Sequence, residues 1–216
     1  MLTIKAIDVT LGRKKILINF SLQLLDGEFI YITGQNGGGK STLLKVINGE
    51  IKTHKGQIAI DEIPLNVNFL PSLVKHRRKI GYIHQDFRLI DDWTVFENIA
   101  YPLLAKGENL SFIKAKILNI ATQLKITDQL NHFPFEISGG EKQRAAIARA
   151  VIKGARIILA DEPTGNLDPQ NSYEIAKFLC SISKKNRVCV LFVTHDIELI
   201  KKIPKKAINL GEINND

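Results

Sequence analysis

The sequence predicts an α/β protein with a mainly parallel central sheet, an antiparallel β portion at its N-terminus and a helical subdomain at about 86–137. Three observations favour this fold. A glycine-rich loop at 34–42 lies between a strand-like and a helix-like run, and strands and helices alternate again beyond residue 137. Between these regions, apolar residues recur at helical spacing. A chain of 216 residues can bury one substantial core, so we predict a single domain over 1–216.

Local composition assigns the individual elements. β-branched and leucine-rich runs bounded by turn residues predict strands, and longer runs with apolar residues three and four apart predict helices. Ser111 is the expected N-cap of its helix, and Pro169 suits the first turn of a later one. In chain order, the predicted strands are 4–11, 16–25, 28–33, 57–60, 80–84, 156–161, 188–194 and 207–210. The predicted helices are 43–48, 94–104, 111–125, 141–153, 169–185 and 197–202.

The composition indicates a globular protein of a reducing compartment. The longest apolar runs, such as 188–193, are too short to span a bilayer. The N-terminus also lacks the basic segment followed by an apolar segment that is typical of a signal peptide. We therefore expect a cytoplasmic protein that reaches a membrane only as a peripheral component of its cytoplasmic face. Cys180 and Cys189 have no metal-ligand spacing and are predicted to be buried, reduced thiols.

The formal charge of +8 includes basic clusters at 75–79 and at 201–206. A solvated, lysine-rich surface is the favoured interpretation, with attraction to anionic lipid or to nucleic acid as alternatives. No aromatic side chains interleave with these clusters, so we expect no specific nucleic-acid partner.

The glycine-rich loop has the spacing of a phosphate-binding loop. Its glycines reach positive φ at low cost and let backbone N–H groups surround an anion, while the next helix adds its positive dipole end. Lys40 can reach the outer phosphates, and the hydroxyl of Ser41 can hold magnesium. A turn that binds nothing is the alternative, and both flanks argue against it. The predicted nucleotide-binding residues here are Gly34, Gln35, Asn36, Gly37, Gly38, Gly39, Lys40, Ser41 and Thr42.

Two acids at the end of an apolar strand narrow the chemistry. The run 157–160 delivers Asp161 and Glu162 at its carboxyl end, where open α/β sheets bind ligands. Asp161 can hold magnesium opposite Ser41, and Glu162 is placed to orient and deprotonate an attacking water. A strand that simply ends in surface acids is the weaker alternative.

A second anion site is predicted where Ser138 caps a helix. Gly139 and Gly140 expose backbone N–H groups at this helix N-terminus, and Glu141 follows them. Taken alone, the same pattern is typical of an ordinary capped helix.

These motifs, together with Gln85, 165–168 and His195, occur in the order found in ABC-transporter nucleotide-binding domains, which the chain resembles over its whole length. The resemblance implies a P-loop NTPase of ABC type that binds ATP and Mg²⁺ and hydrolyses ATP. It also implies a homodimer with ATP held between each phosphate loop and the 138–141 segment of the partner.

The resemblance further assigns roles to single residues. Gln85 contacts the γ-phosphate and the metal, and Asp168 lies at the dimer interface. The resemblance also implies that His195 contacts the γ-phosphate. Together with the roles already given to Lys40 and Glu162, this makes Lys40, Glu162 and His195 the expected catalytic residues. Leu11 stands where the family usually stacks adenine on an aromatic ring, so we expect Leu11 to meet the base by apolar packing.

Finer features favour the cell-division branch of the family over the similar lipoprotein-release and efflux branches. These features are the run Gln85-Asp86-Phe87 and the short C-terminus, whereas the Gly-Asn-Leu-Asp turn at 165–168 is shared by all three branches. The branch implies an integral membrane permease as partner, bound through the helical subdomain and the Gln85 region. An ABC protein acting on DNA or ribosomes is disfavoured because the chain has one cassette and no coiled-coil arm or zinc insertion. Candidate anchors for the permease are Phe87, Leu89, Trp93 and Phe96, with internal packing as the alternative that is favoured for Phe96.

Overall fold

The computed structural model describes residues 1–165 and 167–213. Its strands are β1 (Leu2–Leu11), β2 (Lys14–Leu24), β3 (Phe29–Thr33), β4 (Lys55–Ile60), β5 (Ile63–Pro64), β6 (Ile80–Ile83), β7 (Ile157–Asp161), β8 (Cys189–Val193) and β9 (Lys206–Asn209). Its helices are α1 (Lys40–Ile47), α2 (Leu70–Arg78), α3 (Val95–Leu104), α4 (Leu110–Leu124), α5 (Gly139–Ile152), α6 (Pro169–Asn186), α7 (Ile197–Lys202) and α8 (Leu210–Ile213), with a 3-10 turn at Pro134–Glu136.

The N-terminal strands form an antiparallel sheet in the order β2-β1-β4-β5. Leu2 of β1 lies opposite Leu24 of β2 and Ile60 of β4, and all three side chains are buried. Alternation along β1 and β2 places most of their apolar residues on the core side, with Leu11 and Ile18 as exposed exceptions. The predicted antiparallel portion is confirmed.

The central sheet is entirely parallel, in the order β6-β7-β8-β3-β9. Every residue of β7 and β8 is buried, as expected for strands covered on both faces. Phe29 and Tyr31 of β3 pack edge to face or tilted against Phe192 of β8 and against each other, with ring centroids 5.2–5.6 Å apart. Because the strands are parallel, the segments that follow β3, β6, β7 and β8 leave the sheet at one edge.

The stretch 86–137 contains α3, α4 and the 3-10 turn, and both helices pack with α5. Thr94 begins α3 with a capping box: its side chain accepts from the N–H of Glu97. The predicted N-cap of α4 was wrong. Asn109 fills that position instead of Ser111, because its carbonyl oxygen accepts from the N–H of Phe112 at 2.9 Å.

No helix among the described residues is long and apolar enough to cross a bilayer. Cys189 is buried and both cysteines are free, but Cys180 is only half-buried, so the prediction of two fully buried thiols was wrong for Cys180.

The helix α2 was not predicted from the sequence, and it closes the C-terminal end of α1. His76 Nε2 lies 2.7 Å from the carbonyl oxygen of Ile47. Arg77 donates to the carbonyls of Asn48 and Gly49 at 3.0 and 3.2 Å. These carbonyls have no partners inside a helix that ends here. Contacts from α2 therefore fix the far end of the helix that begins at the phosphate-binding loop.

His76 is expected to make the protein less stable in mild acid. Burial lowers the pKa of His76 below its usual 6.5, although the hydrogen bond to Ile47 opposes this effect. The unfolded chain therefore takes up the proton first. The stability contributed by neutral His76 is lost as the pH falls from 6.5 through the lower folded-state pKa. His76→Gln, which keeps a donor for Ile47 and does not titrate, should lose less stability than the wild type between about pH 7.5 and 5.5.

Urea unfolding at the two pH values measures this difference. The matched control is His54→Gln, which replaces an exposed histidine. Equal losses of stability in wild type and His76→Gln would contradict the assignment.

Candidate functional site

Four loops at the carboxyl edge of the central sheet surround a cavity of about 380 Å³. The loop after β3, the residue Gln85 after β6, and the residues after β7 and β8 all contribute to it. The lining residues are Asn36, Gly37, Gly39, Lys40, Ser41, Thr42, Gln85, Glu162 and His195. The structure thus brings together residues from four predicted motifs that lie far apart in the sequence.

The loop that precedes α1 has the backbone conformation that its glycines allow. Gly37 and Gly39 have φ of 74° and 93°, which residues with a Cβ rarely adopt. A Cβ on Gly39 would also lie 2.7 Å from Cγ2 of Ile16. Gly39 is the N-cap of α1 and offers no side-chain cap, so the first N–H groups of the helix remain available for an anion in the cavity.

The ammonium group of Lys40 lies inside this loop. Its Nζ donates to the carbonyls of Gly34 and Gln35 at 2.9 and 3.0 Å, and the side chain is almost fully buried. The loop carbonyls hold the charge close to the N-terminus of α1, where an anion would sit. The positive charge of Lys40 and the dipole of α1 both attract an anion to this position.

Ser41, which lines the cavity, contacts Asp161, which is not among the lining residues. The hydroxyl of Ser41 donates to Oδ1 of Asp161 at 3.0 Å. Burial raises the pKa of Asp161, while the hydrogen bond from Ser41 opposes this rise. A hydroxyl beside a carboxylate is a pair of hard oxygen donors, which is the chemistry that Mg²⁺ prefers.

Glu162 and His195 form a second pair in the cavity wall. Nδ1 of His195 lies 3.3 Å from Oε1 of Glu162. The backbone of Glu162 has φ of 45°, an uncommon conformation for a residue other than glycine. Such conformations persist where surrounding contacts hold them, and they concentrate at functional sites.

The segment that begins α5 lies outside this cavity. Ser138 and Glu141 form a reciprocal capping box: Oε2 of Glu141 accepts from the N–H of Ser138 at 2.8 Å, and Oγ of Ser138 accepts from the N–H of Glu141. The hydrogen bonds from Ser138 lower the pKa of Glu141. Gly139 is exposed, Gly140 is half-buried, and a Cβ on Gly139 would meet only open space. The predicted N-cap is confirmed, and the segment is open to a ligand from outside the molecule.

Asp168 is exposed and also lies outside the cavity. It is the N-cap of α6, and its carboxylate accepts from the N–H groups of Gln170 and Asn171 at 3.0 and 2.9 Å. These hydrogen bonds, chiefly the one from Asn171, lower the pKa of Asp168. Asn166, in the same predicted turn, lies outside the described residues.

Leu11 is not among the described residues that line the cavity. It ends β1 opposite Lys14 and is about half exposed. The residue of this strand pair that reaches the phosphate-binding loop is Ile16, as its approach to Gly39 indicates. The expected contact of Leu11 with a base stays a prediction.

Sequence reasoning missed two residues that hold the Gln85 loop. The guanidinium of Arg149 donates to the carbonyls of Phe87 and Arg88, and the buried amide of Asn98 bonds to Ile90. Neither belongs to a short motif, because the contacts join positions up to 62 residues apart. A charged residue inside an otherwise apolar part of α5 was the one available signal.

The cavity, the uncapped N-terminus of α1 and the neighbouring acids Asp161 and Glu162 are the features of a nucleotide-binding cassette. A sequence profile of the ABC transporter family matches residues 17–165, which is more than half of the chain. The chain therefore belongs to this family, and it is an ATPase of the ABC type. The predicted fold and family are confirmed.

Known relatives give finer detail. The chain is 40% identical to the cell division ATP-binding protein FtsE of Bacillus subtilis (strain 168), over 92% of this chain and 86% of that protein. It is 38% identical to the lipoprotein-releasing system ATP-binding protein LolD of Treponema denticola, over 83% and 79% of the two chains. The structure superposes on a dimeric, ADP- and phosphate-bound cassette, MJ0796, with a TM-score of 0.84 and 35% identity, covering 92% and 90% of the two chains.

Proposed function

We propose that the cavity at the sheet edge is the ATP site of an ABC complex whose membrane partner resembles the cell-division permease FtsX. The observation that carries the ATP site is the meeting of Lys40, Ser41 and the Glu162–His195 pair in one cavity of about 380 Å³. Ser41 also donates a hydrogen bond to Asp161. Each group has the chemistry that one part of ATP hydrolysis needs.

The phosphates occupy the loop at the start of α1. Uncapped N–H groups and the helix dipole attract the anion, and Lys40 exchanges its loop carbonyls for phosphate oxygens. Ser41, Asp161 and Gln85 would hold Mg²⁺ beside the phosphates through a hydroxyl, a carboxylate and a side-chain amide. The bound ion would neutralise phosphate charge.

Hydrolysis uses Glu162 and His195. Glu162 takes a proton from a water molecule as the water oxygen attacks the γ-phosphorus, and the bond from that phosphorus to the β–γ bridging oxygen breaks to release ADP. His195, beside Glu162, fixes the carboxylate and contacts the γ-phosphate. Glu162 can act as the base because Asp161, rather than Glu162, is assigned to the metal.

The complete site needs a second copy of the chain. The segment 138–141 and Asp168 lie outside the cavity of their own molecule, yet the segment presents an open helix N-terminus suited to an anion. In the proposed homodimer, this segment covers the ATP bound by the partner, with Asp168 at the interface. The dimeric form of the related cassette MJ0796 supports this arrangement.

Lys40→Ala is expected to weaken ATP binding by about one to two orders of magnitude, since it removes a buried charge-assisted donor to phosphate. Titration with a fluorescent ATP analogue measures the affinity. Lys45→Ala, which alters a lysine of the same helix outside the lining of the cavity, should bind ATP nearly as well as the wild type. Retained affinity in Lys40→Ala would contradict the assignment of this residue and of the cavity.

The membrane partner is proposed from the relationship to FtsE, with the Gln85 region and the stretch 86–137 as the contact surface. Leu89 and Phe96 pack against the core, so they are poor anchors for a partner. Tyr101 and Leu104, about half exposed on α3, are better anchors.

The conformational change of the dimer, which closes on ATP binding and opens after hydrolysis, would then be transmitted to the permease and control cell-wall hydrolases outside the membrane. The chain is proposed to lie on the cytoplasmic face of the inner membrane through this contact.

A lipoprotein-release complex of the LolD type, or a related MacB-like efflux complex, is the second candidate, favoured by the similar identity to LolD. Capture with the native membrane proteins of the source cell distinguishes the two. The tagged chain should retain a four-span protein with one large extracytoplasmic loop, and Tyr101→Asp should reduce that retention. Retention of a lipoprotein-release permease instead would replace the cell-division assignment and leave the ATP site intact.

A further inference from the structure

The loop that follows Gln85 is held in an unusual conformation. Phe87 and Arg88 have φ of 60° and 48°, so two consecutive residues other than glycine lie in the left-handed region. Backbone of this kind persists only where neighbouring groups hold it. The loop is therefore shaped by contacts from outside itself.

Arg149 supplies those contacts on one side. Its Nη2 donates to the carbonyl of Phe87 at 2.8 Å, and its Nη1 donates to the carbonyl of Arg88 at 2.6 Å. Among the described residues, no carboxylate forms an ion pair with Arg149. The two forked donors of the guanidinium thus match the two carbonyls of the left-handed turn.

Asn98 of α3 holds the other end of the same loop. Its buried side chain accepts from the N–H of Ile90 at 2.8 Å and donates to the carbonyls of Ile90 and Trp93 at 3.0 and 3.1 Å. The loop from Gln85 to Trp93 is therefore fastened at two points to helices α3 and α5.

Arg149 lies on the helix that begins at the 138–141 segment. A straight helix from Ser138 to Arg149 spans about 16 Å. Any movement of the Gln85 loop would act on Arg149 through these two hydrogen bonds, and a rigid helix would carry the displacement to its N-terminus. The contact joins the loop that faces ATP in one molecule to the segment that faces ATP in the other.

We propose that Arg149 is a positioning residue that locks the Gln85 loop to α5, so that ATP contact at Gln85 sets the orientation of Ser138, Gly139 and Gly140. The proposal rests on the ATP site and the dimer described under the proposed function. Loss of the guanidinium leaves each half of the site in place and breaks the mechanical link between them.

The test compares Arg149→Met, Arg149→Lys and the control Arg78→Met, an exposed arginine on α2. Trp93 is the single tryptophan of the chain and lies in the fastened loop, so its fluorescence reports the conformation of that loop. In the wild type and in Arg78→Met, ATP should change this fluorescence.

In Arg149→Met, ATP affinity should stay within about threefold of the wild-type value, while the ATP-induced change in Trp93 fluorescence disappears and kcat falls about 10²-fold. The conservative variant Arg149→Lys should recover part of both, because an ammonium can donate to the same carbonyls.

Several outcomes would overturn the proposal. Wild-type kcat and fluorescence response in Arg149→Met would do so, as would a lysine variant no better than methionine in a folded protein. If Arg149→Met does not fold, hydrogen exchange of the monomeric Ser138→Arg variant decides, because no partner's ATP then covers the segment. ATP must alter exchange in 85–90 and in 139–142 together, and a change in only one of them refutes the link. A wild type that neither binds nor hydrolyses ATP would instead contradict the proposed function.

Discussion

Glu162→Gln is expected to leave ATP binding intact and to slow hydrolysis by about 10²–10⁴-fold, the usual contribution of a general base. Glutamine keeps the size of the side chain and cannot accept the proton of the attacking water. The groups that hold the phosphates, Lys40 and the N-terminus of α1, do not depend on Glu162. Phosphate release measures the rate, and an ATP analogue measures the affinity. Because the γ-phosphate persists, the variant should also accumulate an ATP-bound dimer.

Glu198→Gln is the matched control for Glu162→Gln. Glu198 is an exposed acid on α7 at the same sheet edge, and it pairs with Lys201 rather than with a residue of the cavity. Its replacement should leave the rate unchanged. A normal rate in Glu162→Gln would show that another group accepts the proton, with His195 as the next residue to replace.

Much of this site could be predicted from the sequence because its parts are local. The phosphate-binding loop needs glycines, a lysine and a hydroxyl in one short run, and the backbone φ values at Gly37 and Gly39 agree with that requirement. The meeting of Ser41 with Asp161 follows from parallel strands, which bring their carboxyl ends to one edge. Continuous apolar runs such as those of β7 and β8 are also local signals.

What the sequence could not predict depends on distant partners. Helix α2 has one buried residue, His76, so no apolar face marks it. Asn109 and Ser111 are both residue types that cap helices, so composition alone does not identify Asn109 as the N-cap of α4. The contacts of Arg149 with the Gln85 loop join residues 61 and 62 positions apart, which no local pattern encodes.

Ser138→Arg is expected to abolish ATP-dependent dimerisation while the monomer still binds ATP. Ser138 is not among the described residues that line the cavity of its own molecule, so the ATP contacts of the monomer remain. In the proposed dimer, a long side chain at this helix N-terminus fills the space that the partner's phosphates need. A positive charge there also opposes the helix dipole. Size-exclusion chromatography with light scattering, in a Glu162→Gln background that retains ATP, measures the dimer.

Ser138→Ala separates blocking from the loss of the helix cap. Either substitution removes the hydroxyl of Ser138 and with it the cap on the N–H of Glu141, which costs about 1 kcal/mol of stability. Only arginine adds bulk and charge at the surface that meets the partner. We therefore expect Ser138→Ala to dimerise with a modest loss of affinity and Ser138→Arg to remain monomeric at every ATP concentration. An unchanged dimer in Ser138→Arg would mean that the 138–141 segment does not face the partner's ATP, and the open N-terminus of α5 would then need another anion.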